Sequence, residues 1–220
     1  MISTNKGFLF VHVPRTGGNT IQSVLMPYAD DLLLQKDSKQ HQFELRAKNG
    51  QLTKHSKLSQ YYRVLGEDDA CSMYKFTSIR NPWDRLLSRW FLFRFGPENN
   101  PKTRGRWVFR RQVQPKWNSL EFRKYLEWKL QKDGAGAWSI MPFITIEDQV
   151  AIDDYIRFGS LVEDLRRICS RLELSIKSIP RLNKSRSRFS FKRYYDSTAR
   201  DLVSEVCRDE IEYFGFKFDD

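Results

Sequence analysis

The sequence lacks the features that mark several large classes of protein. Its three cysteines, Cys71, Cys169 and Cys207, are odd in number, widely separated and include no CxxC pair. They therefore fit neither a disulfide framework nor a zinc site, and we expect ordinary thiols. No run of about 18 apolar residues is present, and the opening MISTNKG is polar. We therefore expect no membrane span and no export signal, and a soluble, cytoplasmic protein.

Acidic residues are too few to balance the basic ones. The 220 residues include 38 lysines and arginines against 27 acidic residues, which gives a formal net charge of +11. This excess predicts an anionic partner or substrate, such as nucleic acid, a sulfated or phosphorylated sugar, a nucleotide or an acidic membrane surface. Hydrophobic residues make up 40% of the chain, which predicts a folded protein. The length and the absence of a linker predict a single domain over residues 1–220.

Two apolar segments are each followed at once by a turn and a helical pattern. GFLFVHV predicts a buried strand, and after PRTGGNT a helix is expected with Asn19 or Thr20 as its N-cap. YKFTSI predicts a second buried strand, and Asn81 and Pro82 then fit the N-cap and first position of a helix. In that helix Leu86, Leu87, Trp90 and Phe91 form an apolar face, while Arg85 and Arg89 share another.

The rest of the chain extends this alternation of strands and helices. DYIRFGSL predicts a third short strand, VEDLRRICSRLEL an amphipathic helix, and STARDLVSEVCRDEIEYFG one terminal helix. Between residues 30 and 69 the pattern predicts only a helix at LSQYYRVL. Strands that alternate with helices predict a layered α/β fold with a central parallel sheet flanked by helices. The family resemblance described below implies that this fold is P-loop-like, with three layers.

The first turn has the chemistry of an anion site. A turn between a strand and a helix directs several backbone N–H groups to one point, where the helix dipole adds positive potential. Gly17 and Gly18 allow the backbone to approach an anion closely. Further donors are the side chains of Arg15, Thr16, Asn19 and Thr20. A phosphate is the expected occupant, and a plain structural turn is the alternative. The GxxxxGK[ST] pattern of nucleotide triphosphatases is absent.

The second turn repeats the arrangement. KFTSIRNPWDRLLSRW places Arg80 at the end of a strand and the hydroxyl of Ser88 on the following helix. Two strand ends with phosphate-binding groups predict a ligand with two separated phosphates, bound across the carboxyl edge of the sheet.

These segments resemble the signatures of the sulfotransferase superfamily. The chain has PRTGGNT from Pro14 where that family has a PKTGGTS-like segment, and RNPWDRLLSRW from Arg80 where it has RNPxDRLxSxY. The C-terminal LNK, YY and FGF segments are also similar to the family's closing pattern. Within that superfamily they resemble the branch of carbohydrate (heparan- and chondroitin-type) sulfotransferases and their soluble bacterial relatives.

The resemblance implies a donor and a reaction. The donor would be 3′-phosphoadenosine 5′-phosphosulfate, and the product adenosine 3′,5′-bisphosphate. The first signature would bind the 5′-phosphosulfate, and Arg80 and Ser88 the 3′-phosphate. No metal is implied. The acceptor would be a hydroxyl, on a sugar or another hydroxyl compound. Arg15 stands where the family usually has lysine, and a guanidinium cannot give up its proton.

The same resemblance suggests a general base. Related enzymes often carry a histidine between the two signatures, and His55 fits that position. His12 lies inside the first strand, where a packed residue is expected, and His41 lies in a polar stretch. Glu67, Asp68 and Asp69 are a fallback, or else a surface turn. With Arg15, His55 is the predicted catalytic residue.

Two basic clusters leave alternatives open. Lys184, Arg186 and Arg188 follow the LN pattern and are predicted to reach the 3′-phosphate or adenine side of the donor, unless they form a solvated loop. Between Lys102 and Arg111 basic residues are interleaved with Trp107 and Phe109, which suits an anionic sugar chain and also single-stranded nucleic acid. An acceptor-binding or lid role is the prediction. The rival functions are a nucleotide-dependent kinase of P-loop architecture and a basic nucleic-acid-binding protein. Under the leading hypothesis no nucleic acid is expected as a partner.

Overall fold

The computed structural model of the chain describes residues 1–30, 32–37, 42–46, 52–95, 119–180 and 190–220. The chain divides into two compact units. The first unit comprises Met1–Arg80 and Met141–Asn183, and the second comprises Asn81–Ile140 and Lys184–Asp220. A single domain over the whole length stays a prediction. Among the described residues, no helix is long and apolar enough to cross a membrane.

The described strands all lie in the first unit. They are β1 (Ile2–Ser3), β2 (Phe8–Val11), β3 (Leu32–Asp37), β4 (Gln42–Arg46), β5 (Tyr74–Ile79), β6 (Thr145–Ile146), β7 (Gln149–Val150) and β8 (Asp154–Arg157). The described helices are α1 (Gly18–Leu25), α2 (Leu58–Leu65), α3 (Glu67–Ser72), α4 (Pro82–Phe95), α5 (Ser119–Asp133), α6 (Met141–Ile144), α7 (Leu161–Arg171), α8 (Ser197–Val206) and α9 (Arg208–Phe214). Helices α4, α5, α8 and α9 belong to the second unit.

A mostly parallel sheet forms the centre of the first unit. Its strands are ordered β1-β2-β5-β8, with β2, β5 and β8 parallel and β1 antiparallel to β2. In this register Val11 lies opposite Thr77, and Ile79 lies opposite Arg157. The three parallel strands therefore end at the same edge of the sheet, where their turns begin side by side. The predicted α/β fold with a central parallel sheet flanked by helices is confirmed.

Strand β2 is buried on both faces, which explains its unbroken apolar sequence. Phe8 and Phe10 contact Phe76 of β5 and join a cluster with residues of α1 and α7. Leu9 and Val11 join a cluster on the opposite face with residues of α2. Both layers that flank the sheet thus hold the strand from which the first turn departs.

The second unit is built around α4. The side chain of Asn81 accepts hydrogen bonds from the N–H groups of Trp83, at 3.1 Å, and Asp84, at 3.4 Å, so the predicted N-cap is confirmed. The predicted apolar face of the helix is buried in the core, and its residues are Leu86, Leu87, Trp90 and Phe91. This core also includes residues of α5 and α8.

A buried ion pair crosses this core, although Arg85 was expected on a separate face of α4. Arg85 Nη2 donates to Glu210 Oε1 of α9 at 2.5 Å. The backbone N–H of Ile140 donates to Glu210 Oε2 at 2.6 Å, and Glu210 is fully buried. Each carboxylate oxygen therefore has a donor, which offsets the cost of removing the charge from water.

Three local predictions were wrong. Helix α1 begins at Gly18 with Gly17 as its N-cap, so neither Asn19 nor Thr20 is the cap. The terminal helix is interrupted at Cys207, which is buried and separates α8 from α9. Strands β3 and β4 pair antiparallel in a stretch where no strand was predicted.

Candidate active site

The first turn leaves β2 with an unusual backbone. Arg15 has a φ of 69° and Gly17 a φ of 91°, both in the left-handed region. Such a conformation is costly for a residue with a side chain, and Arg15 holds it at a strand-to-helix turn. Helix α1 then begins at Gly18, so the amides of Gly18 and Asn19 lie at the turn and have no acceptor within the helix. Left-handed residues followed by a helix N-terminus form a concave anion site.

Thr16 fastens this turn to the sheet. Its Oγ1 donates to the carbonyl oxygen of Val13 at 2.7 Å and lies 2.6 Å from Oγ of Ser78 on β5. Both residues are buried. The Thr16 hydroxyl proton is directed to the carbonyl of Val13, so the Thr16 side chain holds the turn in place. Thr16 can then contact a ligand through its backbone N–H. Thr20 is also buried, and its N–H donates to the carbonyl of Gly17 at 3.0 Å.

Close neighbours explain both glycines of the turn. A Cβ atom on Gly17 would lie 2.5 Å from Leu161 Cδ1 and 3.2 Å from Phe158 Cδ2. A Cβ atom on Gly18 would lie 2.0 Å from Cδ2 of the buried His12 ring. The backbone of the two glycines is therefore packed against side chains from the residue after β2, from the turn after β8 and from the start of α7. Asn19, which follows, is half-buried at the start of α1.

Arg80 extends from the end of β5 to the first turn. Its Nη1 donates to the carbonyl oxygen of Arg15 at 3.1 Å. The guanidinium lies 4.1 Å from the ring centroid of Phe158, in a cation–π contact that fixes its plane. Arg80 is only 8% exposed. The bond to Arg15 uses one of the five guanidinium N–H groups.

The two arginines create a strongly positive point. Burial lowers the pKa of Arg15 to about 10, and the charge of Arg80 lowers it further in the same direction. At neutral pH Arg15 therefore keeps its proton, and its charge lies close to that of Arg80 at the end of the sheet. An anion that binds there removes this repulsion, which favours a phosphate or phosphosulfate group.

His55 lies beside the same turn, in the segment before α2. It is exposed, and its Nδ1 lies 3.0 Å from the carbonyl oxygen of His12. A carbonyl accepts only, so Nδ1 carries the proton and Nε2 the lone pair. The His55 and His12 rings meet edge to face with centroids 4.6 Å apart. Burial, and next the charge of His55, lowers the pKa of His12 well below its usual value. The neutral His12 ring thus separates the predicted base from Gly18.

The structure places the other predicted site residues as follows. Ser88 is a buried residue of α4 in the second unit. Glu67, Asp68 and Asp69 form the exposed first turn of α3, as expected for a surface turn. His41, the segment 102–111 and the cluster Lys184, Arg186 and Arg188 lie outside the described residues. No group of three or more metal-ligating side chains occurs in the ranges that the structure describes.

Sequence reasoning missed Phe158 and Ser78. Phe158 follows β8 and lies under Arg80, while Ser78 holds Thr16. The one available signal was that FGSL forms the end of the segment DYIRFGSL, in which the third strand was predicted.

We expect Gly18→Ala to disturb this turn, because the new methyl group would overlap the His12 ring. Overpacking of this kind lowers the free energy of unfolding by about 1–3 kcal/mol. The double variant Gly18→Ala/His12→Ala removes the overlap and should be less destabilised than the sum of its two single variants. Gly159→Ala is the matched control, since nothing lies within 4 Å of its Cβ position. Chemical denaturation measures all four variants, and additive effects would contradict the contact.

A protein-family model matches nearly the whole chain. The family model described as "Sulfotransferase family" matches residues 1–217. No curated protein and no solved structure matches the chain. The matched range includes both strand-to-helix turns and nearly the whole chain.

Proposed function

This chain belongs to the sulfotransferase family, and from that membership we propose that it transfers a sulfuryl group from 3′-phosphoadenosine 5′-phosphosulfate to a carbohydrate hydroxyl. The family establishes a sulfuryl transferase with a mixed α/β fold. The donor and the acceptor are the proposal. The observation that carries it is the bond between Arg80 and the Arg15 carbonyl, which joins the ends of β2 and β5 in one cationic site.

The first turn is proposed to bind the 5′-phosphosulfate. Its backbone amides, from Thr16 to Asn19, form the concave part of the site, and the side chain of Arg15 adds a full charge. Glycine at positions 17 and 18 fits this role. A Cβ atom there would collide with Leu161 or with His12, and without side chains the backbone N–H groups can approach an anion closely. Asn19 and Thr20 supply the polar side chains of the same turn.

Arg80 is proposed to bind the 3′-phosphate. Phe158 and the Arg15 carbonyl hold the guanidinium in one orientation, so little side-chain freedom is lost when a phosphate binds. Ser88 keeps the role of second 3′-phosphate ligand that the resemblance gives it. Lys184 and Arg186 likewise remain proposed ligands of the nucleotide.

The donor supplies an activated sulfur whose bond to the bridging oxygen breaks during transfer, so that negative charge collects on the 5′-phosphate. The amides of the first turn and Arg15 face this charge. Because they are fixed before the reaction, they stabilise the charge without reorganisation. Arg15 acts by charge and by its fork of N–H donors, since it keeps its proton throughout.

His55 is the proposed general base. As the acceptor oxygen forms its bond to sulfur, its proton passes to the lone pair on His55 Nε2. The hydrogen bond from Nδ1 to the His12 carbonyl stabilises the imidazolium that results. His55 is exposed, which suits a group that must meet an incoming acceptor.

A carbohydrate acceptor and membership of the carbohydrate branch are supported by two features. The PRTGGNT and RNPWDRLLSRW signatures resemble those of that branch. The net charge of +11 suits an anionic sugar chain as well as an anionic donor.

Titration with adenosine 3′,5′-bisphosphate tests the proposed donor. We expect micromolar binding by calorimetry, and Arg80→Ala should weaken it about 100-fold, since a buried cation that pairs with phosphate is lost. Arg157→Ala is the matched control, because Arg157 is an exposed arginine at the end of the neighbouring strand β8. Its affinity should equal that of the wild type.

Two results would overturn the donor assignment. One is binding of magnesium ATP in place of the bisphosphate, which would favour the kinase alternative. The other is an unchanged affinity in Arg80→Ala, which would place the 3′-phosphate elsewhere. Thermal unfolding of each variant without ligand separates loss of binding from loss of fold.

A further inference from the structure

His12 lies between the first turn and the proposed base. It directly follows β2 and is only 3% exposed. Its ring packs on Gly18, because its Cδ2 and Nε2 atoms lie 2.0 and 2.1 Å from the position that a Cβ atom of Gly18 would take. The same ring meets the ring of His55 edge to face, with centroids 4.6 Å apart. One side chain therefore contacts both the turn proposed to bind the 5′-phosphosulfate and the group proposed to take up the acceptor proton.

The ring of His12 is held in this place by its neighbours. The ring of Phe10 lies nearly parallel to it, with centroids 6.0 Å apart and an interplanar angle of 23°. The carbonyl oxygen of His12 lies 3.0 Å from Nδ1 of His55 and accepts its hydrogen bond. The backbone and the ring of one residue thus both contact the base. Because protein interiors are close-packed, a ring between Gly18 and His55 also sets the distance between them.

The ring of His12 carries no charge near neutral pH. Burial, and next the charges of His55, Lys54 and the amino group of Met1, lower the pKa of His12 well below its usual value, whereas the side chain of Gln22 raises it. A neutral buried ring excludes water from the space that it fills. The interaction between two charges strengthens as the effective dielectric between them falls. An anion on the first turn therefore acts on His55 more strongly across this ring than it would across water.

We propose that His12 is a positioning residue that couples the base to the bound donor. Its ring keeps His55 at a fixed distance from Gly18, so the 5′-phosphate of a bound nucleotide favours the protonated form of His55. His55 then becomes a stronger base when the nucleotide is in place. Above its titration range His55 is neutral with and without nucleotide, so there the coupling leaves the nucleotide affinity unchanged. This inference rests on the proposed donor and the proposed base.

NMR titration of the imidazole C–H resonances tests the coupling without any acceptor. The chain has three histidines, so each resonance can be assigned from a single variant. In the wild type, adenosine 3′,5′-bisphosphate should move the titration midpoint of His55 to higher pH. His12→Phe retains a neutral ring and should retain the shift. His12→Ala admits water between the turn and the base, and should lose more than half of the shift.

Leu161→Ala is the matched control, because Leu161 packs on Gly17 of the same turn. It should retain the shift of His55. His12→Gln also removes the ring, with a smaller loss of volume, and replaces His12→Ala if that variant does not fold. Thermal unfolding of every variant shows whether it is folded.

The outcomes separate this inference from the proposed function. Bound bisphosphate that leaves the wild-type midpoint of His55 unchanged would overturn the coupling, and so would an equal shift in His12→Ala. In both cases the proposed donor still stands. A resonance of His12 that itself titrates near neutral pH would also overturn the coupling, because the ring would then be charged. A wild type that does not bind the bisphosphate would overturn the proposed donor instead.

Discussion

His55→Ala is expected to lower turnover about 10²–10⁴-fold while the affinity for adenosine 3′,5′-bisphosphate stays the same. The reason is the fixed tautomer of the ring. His55 Nδ1 donates to the His12 carbonyl at 3.0 Å, which places the lone pair on Nε2, where an acceptor proton can be taken up. The donor site is built from other residues, so its affinity does not depend on this imidazole. Single-turnover kinetics and calorimetry measure the two quantities separately.

A second variant distinguishes the base from a structural part. His55→Asn preserves an N–H donor near the position of Nδ1 but removes the lone pair of Nε2. It should therefore be as inactive as the alanine variant and should unfold at the wild-type midpoint. Ser59→Ala, an exposed change on α2, is the control and should retain full activity. Turnover in the asparagine variant near the wild-type rate would remove His55 from the proton transfer.

Replacement of Glu210 is expected to have the largest effect on stability. Glu210→Gln leaves the Arg85 guanidinium buried without its carboxylate, and loss of one partner of a buried ion pair costs about 3–5 kcal/mol. Ile140 also loses the charged acceptor of its N–H group. Chemical denaturation, followed by tryptophan fluorescence, gives the free energy of unfolding.

The companion variants show whether the pair itself causes the loss. Arg85→Met/Glu210→Leu replaces both charges by apolar groups and should recover most of the stability, because such exchanges are often neutral. Glu212→Ala is the control on the same helix, since Glu212 is exposed, and it should change stability by less than about 0.5 kcal/mol. A double variant as unstable as Glu210→Gln alone would show that Arg85 is not stabilised through this pair.

The two arginines of the RNPWDR segment have different partners, which the sequence alone does not distinguish. Arg80, the first arginine, reaches the turn after β2 in the first unit. Arg85, the second, is buried against α9 in the second unit. Both residues were visible in the sequence, but only Arg80 was predicted to bind a ligand. The partner of Arg85 lies 125 residues away along the chain, and no local pattern indicates such a distant contact.

Elements with strong local signals were predicted correctly. Strand β5 and the start of α4 depend on a short apolar run and on Asn81–Pro82, which act through the backbone of their own neighbours. The predicted N-cap of α1 was wrong, because the cap is Gly17 in a left-handed conformation, with a φ of 91° that only glycine adopts without strain. The roles of the individual site residues stay predictions, and the variants described above test them.

By itself the sequence determined the α/β class, the two turns at strand ends and the family to which the chain belongs. These properties follow from hydrophobic periodicity and turn-forming residues, which act over a few positions. The tertiary structure alone decided that Arg80 bonds to the backbone of Arg15, that Thr16 turns inward to Ser78, and that Phe158 supports the guanidinium. Such contacts depend on which strands become neighbours in the sheet, and that order is set by the packing of the whole unit.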